Sequence, residues 1–321
     1  MSPAFYCLGL LGSLPRMELA LVYTAIKYPN GNQPMIMQGQ DVASLVEFSE
    51  ARAYGSLIQA APQAYLESHG LRAVKIGSAV AVMAESVTNT LNMNRVIGLG
   101  VAETATEPMI DQIVELYTAR GIPFGIEIGP FARPKEELSS WLQKRRIRRS
   151  FTTAIHYRTT KPVALEKELV SVVQATGSER EIVADICCSV FRMPEAAHAV
   201  IAGTADVPEW RQWLAYLGDQ PIAAALSFIR EGVGWLGWDA TLPDFRGRGA
   251  HLALIVHRVN EACRAGCTYV TTETAVKLGD RTDPSYRNYE RLGFSLAYER
   301  ATYIGTRKKS PAQGINEQRV V

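Results

Sequence analysis

Between Leu242 and Leu254 the chain reads Pro243-Asp244-Phe245-Arg246-Gly247-Arg248-Gly249-Ala250-His251-Leu252-Ala253, a stretch that few local folds can accommodate. The residues before it, Gly234 to Leu242, read as a buried strand. After it Leu252, Ile255, Val256, Val259 and Cys263 recur at helical spacing, and Gly266 closes the helix. The unit is therefore strand, glycine-rich turn, helix. Gly247 and Gly249 let a ligand approach the backbone with no Cβ in the way, and the first-turn amides and the helix dipole point at that ligand. Arg246 and Arg248 add fixed positive charge beside it. An anion, and a pyrophosphate in particular, suits such a turn.

Glycines at a strand-to-helix turn are weak evidence alone, so their neighbours must decide. A dinucleotide fold continues Gly-x-Gly-x-x-Gly, whereas here His251 and Leu252 take those places; a P-loop needs Gly-Lys-Ser/Thr, which is absent. Downstream the chain has a strand over Thr268 to Thr274, then Asp283-Pro284-Ser285-Tyr286-Arg287-Asn288-Tyr289-Glu290-Arg291-Leu292-Gly293-Phe294, then a second strand from about Leu296 to Tyr303.

Over roughly residues 166 to 305 this order resembles the GCN5-related N-acetyltransferase (GNAT) superfamily. The family's Arg/Gln-x-x-Gly-x-Gly/Ala pattern falls on Arg246, Gly249 and His251, and its Tyr-x-x-x-Gly-Phe signature on Tyr289, Gly293 and Phe294. His251 departs from the family, which has Gly or Ala there. The resemblance implies an α/β (α+β) fold, a mixed, mainly antiparallel twisted sheet flanked by helices, with acetyl-CoA as co-substrate. It implies that Arg246, Gly247, Arg248, Gly249, Ala250 and His251 hold the pyrophosphate and that backbone near Ala240 and Thr241 pairs with pantetheine. Asn288 would bond the pantetheine arm or lie exposed, and Tyr289 would supply the proton to the departing thiolate. Asp239 and Glu273 are candidate bases and equally candidate structural hydrogen-bonding partners. Phe191, Met193 and Trp210 or Trp213 are candidates for the acceptor wall. The implied activity is direct acetyl transfer, in a ternary complex, to a primary amine of a small molecule. A silent acyl-CoA-binding sensor or scaffold and a protein or peptide N-acetyltransferase are the alternatives.

The first half of the chain repeats this layout. Leu71 to Ala84 is a pair of β-rich runs around Gly77-Ser78, Arg95 to Val101 is a strand, Ile110, Ile113, Val114 and Tyr117 share a helix face, and Gly121 to Ile128 is turn and strand. The working parts are missing from this copy. Ala102 to Pro108, with Glu103 and Glu107, stands where the glycine turn belongs, and Leu142 stands where the tyrosine belongs. The expected organisation is a flexible extension over 1–16, a degenerate GNAT-like domain over 17–160, a catalytic GNAT domain over 161–305, and a tail over 306–321. Thr159-Thr160-Lys161-Pro162 marks the boundary, and Ser178 with Glu181 reads as the capping box of the next helix.

Composition narrows the partners. With 34 Lys+Arg against 32 Asp+Glu, no global charge points to nucleic acid or an anionic membrane. Phe5 to Leu11 is too short to span a bilayer and lacks the flanks of a signal. Cys7, Cys187, Cys188, Cys263 and Cys267 have the spacing of reduced thiols in a cytoplasmic protein, and no metal is implied. The basic run Lys144 to Arg149 reads as a solvated helix end or a partner patch. Homodimerisation stays open.

Overall fold

The computed structural model describes residues 39–165, 167–276 and 283–306. The expected extension over 1–16, and the tail beyond Thr306, lie outside the described residues. The first half runs α1 (Gln40–Ile58), α2 (Gln63–Ser68), β1 (Leu71–Ile76), β2 (Ala79–Ala84), β3 (Arg95–Ile97), α3 (Glu107–Thr118), β4 (Phe124–Ile128), α4 (Lys135–Lys144) and β5 (Arg148–Thr159). The second runs β6 (Ser171–Gln174), α5 (Glu179–Phe191), α6 (Glu195–Gly203), β7 (Trp210–Leu217), β8 (Gln220–Arg230), β9 (Val233–Thr241), α7 (Ala250–Arg264), β10 (Tyr269–Ala275), α8 (Pro284–Arg291) and β11 (Ser295–Gly305). From α1 onward the first half matches the second from α5 onward, element for element.

Backbone bonds fix the residue register of this repeat. The turn after α7 closes with Cys267 N–H on the Ala262 carbonyl, and the turn after α3 with Ile122 N–H on that of Tyr117. After α8, Phe294 N–H bonds the Tyr289 carbonyl at 3.1 Å; after α4, Ile147 N–H bonds that of Leu142 at 3.0 Å. Leu142 is thus the counterpart of Tyr289, and Arg146, at φ 59°, stands in the left-handed backbone slot that Gly293 fills at φ 77°.

Among the described residues the strands form one sheet in the order β1-β2-β3-β4-β11-β5-β10-β9-β8-β7-β6. The mixed, mainly antiparallel sheet is as expected, and the two halves exchange strands within it. In each half the two parallel strands, β3 with β4 and β9 with β10, are flanked by the last strand of the other half: β11 lies beside β4, and β5 beside β10. The two last strands pair with each other antiparallel, and Arg300 faces its own repeat counterpart, Thr153. The pseudo-twofold axis passes there. Neither half closes its sheet without the other.

On one sheet face α1, α5 and α6 share a core that includes Leu57, Val183, Cys187 and Val200; on the opposite face of the second half, α7 and α8 pack Ile255, Val259, Tyr289 and Phe294 against Leu236 and Val270. Each fully buried aliphatic there contributes about 1.5–3 kcal/mol. The buried face of α7 is centred on Ile255, Arg258, Val259 and Ala262, which leaves Leu252 and Cys263 at its margins. The capping box also forms earlier than expected. Thr176 N–H donates to the Glu179 carboxylate at 2.9 Å, while Ser178 has helical backbone angles and makes no side-chain cap. The Asp283 side chain caps α8 by accepting from Ser285 N–H at 2.7 Å, with Pro284 at the first helical position.

Candidate active site

The parallel pairing of β9 with β10 ends at Leu236 and Thr272, although β9 continues to Thr241 and β10 to Ala275. The strands part there and leave a wedge. A bulge in β9 lies at its mouth: between the pairs Leu226–Gly237 and Ala224–Ala240, β8 has one residue and β9 has two, Trp238 and Asp239. Trp238 has φ 58°, a conformation that a bulky residue keeps only where its surroundings hold it. Its indole packs edge-on against Phe191, with ring centroids 5.5 Å apart.

One wall of the wedge is Ala240, fully buried, and Thr241, half-buried. The chain then enters the glycine turn, where Gly247 (φ 77°) and Gly249 (φ 84°) both need the left-handed region. A Cβ at Gly247 would meet nothing within 4 Å, so the backbone is open there. Arg246 and Arg248 are exposed, and Ala250 and His251 begin α7, whose first amides have no intrahelical acceptor. Open, positively flanked amides of this kind fit a pyrophosphate.

Asp239, His251, Asn288 and Tyr289, all candidates from the sequence, converge. The Tyr289 hydroxyl donates to Asp239 Oδ2 at 3.1 Å, His251 Nε2 lies 3.4 Å from Asp239 Oδ1, and Asn288 Nδ2 meets His251 Nδ1 at 3.0 Å. Burial would raise the Asp239 carboxyl, but the Arg258 guanidinium, with the His251 contact, outweighs it and holds the pKa at about 2. Burial, reinforced by the Asp239 charge, pushes the Tyr289 phenol well above its ordinary value. Arg258 was not foreseen. It is fully buried, bonds both oxygens of Asp239, and donates to the Leu226 carbonyl at 3.0 Å and the Gly237 carbonyl at 3.4 Å.

Glu273 stands apart from this group. Its neighbour Thr271 bonds Ser49 of α1, whereas Thr274 bonds His156, so alternate β10 residues face opposite sides. Glu273 faces α1, with Arg95 at 2.9 and 3.1 Å and Arg300 at 2.9 Å on its carboxylate. Glu47 and Glu50 from α1 and Glu127 from β4 share the same two guanidiniums. Burial would raise Glu273, and Arg95 and Arg300 override it, to about 2. Burial dominates at Glu50 and raises it to about 7. Of the acceptor-wall candidates, Phe191 lies against the bulge and Met193 is buried nearby in the α1–α5–α6 core. Trp210 packs on Phe228 and Trp235, and Trp213 lies on the other sheet face with its indole N–H on Ser227.

The first half's counterpart of the wedge is filled by its own chain. The Arg133 carbonyl accepts from Ala105 N–H at 2.7 Å, at the start of α3, and Arg133 N–H donates to the Gly100 carbonyl at 2.9 Å. By the repeat register Ala105 is the counterpart of Ala250. A Cβ on Gly100 would come within 2.7 Å of the Arg133 carbonyl oxygen, so nothing else fits between them. The carboxylates expected to repel an anion are engaged elsewhere: Glu103 takes the Ser78 N–H and Glu107 pairs with Arg145 at 3.0 Å. The chain's own backbone fills this cleft. Of the basic run, Arg145 is spent on Glu107 and Asp111, while Lys144, Arg146, Arg148 and Arg149 are exposed.

Among the described residues no group of three or more His, Cys, Asp or Glu is placed to hold a metal ion, and no helix is long and apolar enough to cross a membrane. Cys187, Cys188, Cys263 and Cys267 are free thiols; Cys7 lies outside the described residues.

Residues 142–272 match the family model of the acetyltransferase (GNAT) domain. No curated protein sequence matches the chain. Solved structures share its fold: a GCN5-related N-acetyltransferase from Kribbella flavida, 16% identical, aligns over 87% of this chain and 98% of its own with a TM-score of 0.58. Another GCN5-related N-acetyltransferase, from Sphaerobacter thermophilus, is 16% identical over 84% of this chain and 93% of its own, with a TM-score of 0.53. The chain has the GNAT fold, and the likeness to these neighbours spans both halves.

Proposed function

We propose that this chain, which carries the GNAT fold and a GNAT domain match, is an N-acetyltransferase that moves acetyl from acetyl-CoA to a primary amine of a small molecule, in a ternary complex. The observation that carries the reading is the wedge between β9 and β10, which runs from an open glycine turn to the hydroxyl of Tyr289. Bound acetyl-CoA would supply an activated thioester. The amides of Gly247, Gly249, Ala250 and His251, with Arg246 and Arg248, would hold its pyrophosphate, and β9 backbone at Ala240 and Thr241 would pair with pantetheine. Asn288, tied to His251, would border the pantetheine path.

Transfer asks the protein for a polarising donor, a proton for the thiolate and a sink for the amine proton. The bulge frees β9 backbone groups from the ladder at the mouth of the wedge and suits the first task. Tyr289 suits the second: its raised phenol stays protonated at neutral pH and keeps a hydroxyl proton beside the wedge. For the third, carboxylates at about 2 are weak bases toward an ammonium ion. We therefore assign Asp239 to orienting the Tyr289 hydroxyl and Glu273 to the charge cluster, and the amine enters neutral or loses its proton to water.

One observation favours the second reading, a coenzyme-binding protein without turnover: the Tyr289 hydroxyl is already committed to Asp239. A coenzyme A release screen across amino acids, polyamines, aminoglycosides and peptides separates the two. Acetyl transfer predicts release with at least one amine; micromolar acetyl-CoA binding without release from any of them supports the sensor. Release with peptides alone moves the acceptor to protein or peptide amines.

A further inference from the structure

We infer that Arg258 is a positioning residue for the transfer: it holds the β9 bulge and the Asp239 carboxylate in place, and through them aims the Tyr289 hydroxyl, without touching either substrate. The inference rests on the acetyl-transfer reading above. Its starting point is an anomaly in α7. Arg258 lies on the buried face among Leu254, Ile255, Val259 and Ala262 and is fully inaccessible. A buried guanidinium carries a large desolvation penalty unless every donor is met. Arg258 meets it in a specific way. Its Nε donates to the Leu254 carbonyl at 3.1 Å, one turn back on its own helix. Its Nη1 reaches the carbonyls of Leu226 and Gly237, the pair at which the bulge begins.

A bulge disrupts the ladder and strands backbone groups in a dry interior. Arg258 supplies donors there, so the fork is matched to the kink that turns Trp238 to φ 58°. The same fork grips both oxygens of Asp239, the next residue, whose Oδ2 accepts the Tyr289 hydroxyl. One side chain thus fixes three things at once: the splay of β9, the ionisation of Asp239, and the place of the Tyr289 hydroxyl, whose proton rests on Asp239 until it swings to the thiolate. Arg–Lys exchange is not neutral at such a site, because an ammonium has the charge without the planar fork.

The groups facing Asp239 are Arg258 and His251 from α7, Tyr289 from α8, and Cys187 from α5, whose thiol is pushed up by burial and bonds the Trp238 carbonyl at 3.7 Å. Of these Arg258 is the permanent cation. Without it, burial would dominate and Asp239 would take up a proton.

The test uses the full chain as Arg258→Gln and Arg258→Lys, read three ways: acetyl-CoA affinity, kcat against pH, and the Asp239 carboxyl carbon-13 resonance, identified by its loss in Asp239→Asn. In Arg258→Gln we expect kcat down by about 100-fold with affinity within about 3-fold. Beyond the limb set by the acceptor amine, a new limb rises with pH as Asp239 ionises, and the resonance titrates where the native one stays flat. In Arg258→Lys kcat falls without a new limb. A native pH profile together with an unmoved resonance in Arg258→Gln overturns the inference, as does native kcat in Arg258→Lys, which decides the matter even if the Gln variant fails to fold. If the native protein releases no coenzyme A from any amine, the acetyl-transfer reading fails, and the resonance still decides whether Arg258 holds Asp239.

Discussion

At the scale of single residues the site is a short chain of contacts, Arg258 to Asp239 to Tyr289, with His251 and Asn288 beside it. Tyr289→Phe should lower turnover by about 100-fold and leave acetyl-CoA affinity nearly intact, because the ring keeps its packing against Phe294 and only the proton is lost. Steady-state rates at saturating acetyl-CoA check this; an unchanged kcat would make the tyrosine structural. Asp239→Asn acts on stability as well, since it leaves a buried guanidinium without its counter-charge, and chemical denaturation should show a loss of roughly 3–5 kcal/mol. The tyrosine, the histidine and the asparagine could be read in the sequence because they sit in or beside spaced motifs. Arg258 could not, although a signal existed. An arginine on the apolar face of a helix, next to a strand carrying a lone Asp239, asks for a buried pair, but the contact depends on the bulge, and no local pattern announces a bulge.

At the scale of elements, the β9 bulge, the turn after it and the first turn of α7 make one device, and its glycines are replaceable only at a loss. Gly249→Asp forces a side chain into φ 84°, brings it into contact with Leu169 and, on the proposed reading, repels the coenzyme's phosphates. Acetyl-CoA affinity measured by calorimetry should fall by at least about 10-fold, or ~1.4 kcal/mol, and native affinity would show that the turn does not carry the phosphates. The strand–turn–helix was legible because glycine spacing and apolar periodicity are local properties. The fate of the first-half cleft was not. Its closure depends on the Arg133 backbone folding back onto Gly100 and Ala105, a contact between distant segments that no local pattern announces.

The whole molecule is held by the exchange of last strands and by the charge cluster beneath α1. The repeat could be read in the order of runs along the chain, but strand exchange is a long-range choice that leaves the same local pattern. Residues 161–321 expressed alone lack β5, so β10 and β11 lose their common partner; we expect insoluble or unfolded material, rescued by co-expression with the first half. A folded, monomeric second half would refute the exchange. The cluster sets Glu47, Glu50, Glu127 and Glu273 against Arg95 and Arg300, and burial, with the Glu273 charge beside it, favours a proton on Glu50. Its folded pKa, about 7, lies above the ordinary 4.5. The folded chain therefore holds a proton in this window that the unfolded chain has released, and stability falls as pH rises through it. Asp239 and Glu273, at about 2, act the other way: their contribution is present above the unfolded value and is lost as pH falls from there through about 2. Glu50→Gln should flatten the decline of Tm between about pH 5 and pH 8, and an unaltered slope would move that proton elsewhere.

The central claim is one working coenzyme site per chain, in the second half, with the first half's cleft occupied by its own backbone. Titration calorimetry with acetyl-CoA tests it most directly. The account predicts a stoichiometry of one per chain, abolished or greatly weakened by Gly249→Asp and untouched by Glu103→Gln. Two sites per chain, or full binding retained in Gly249→Asp, would contradict it.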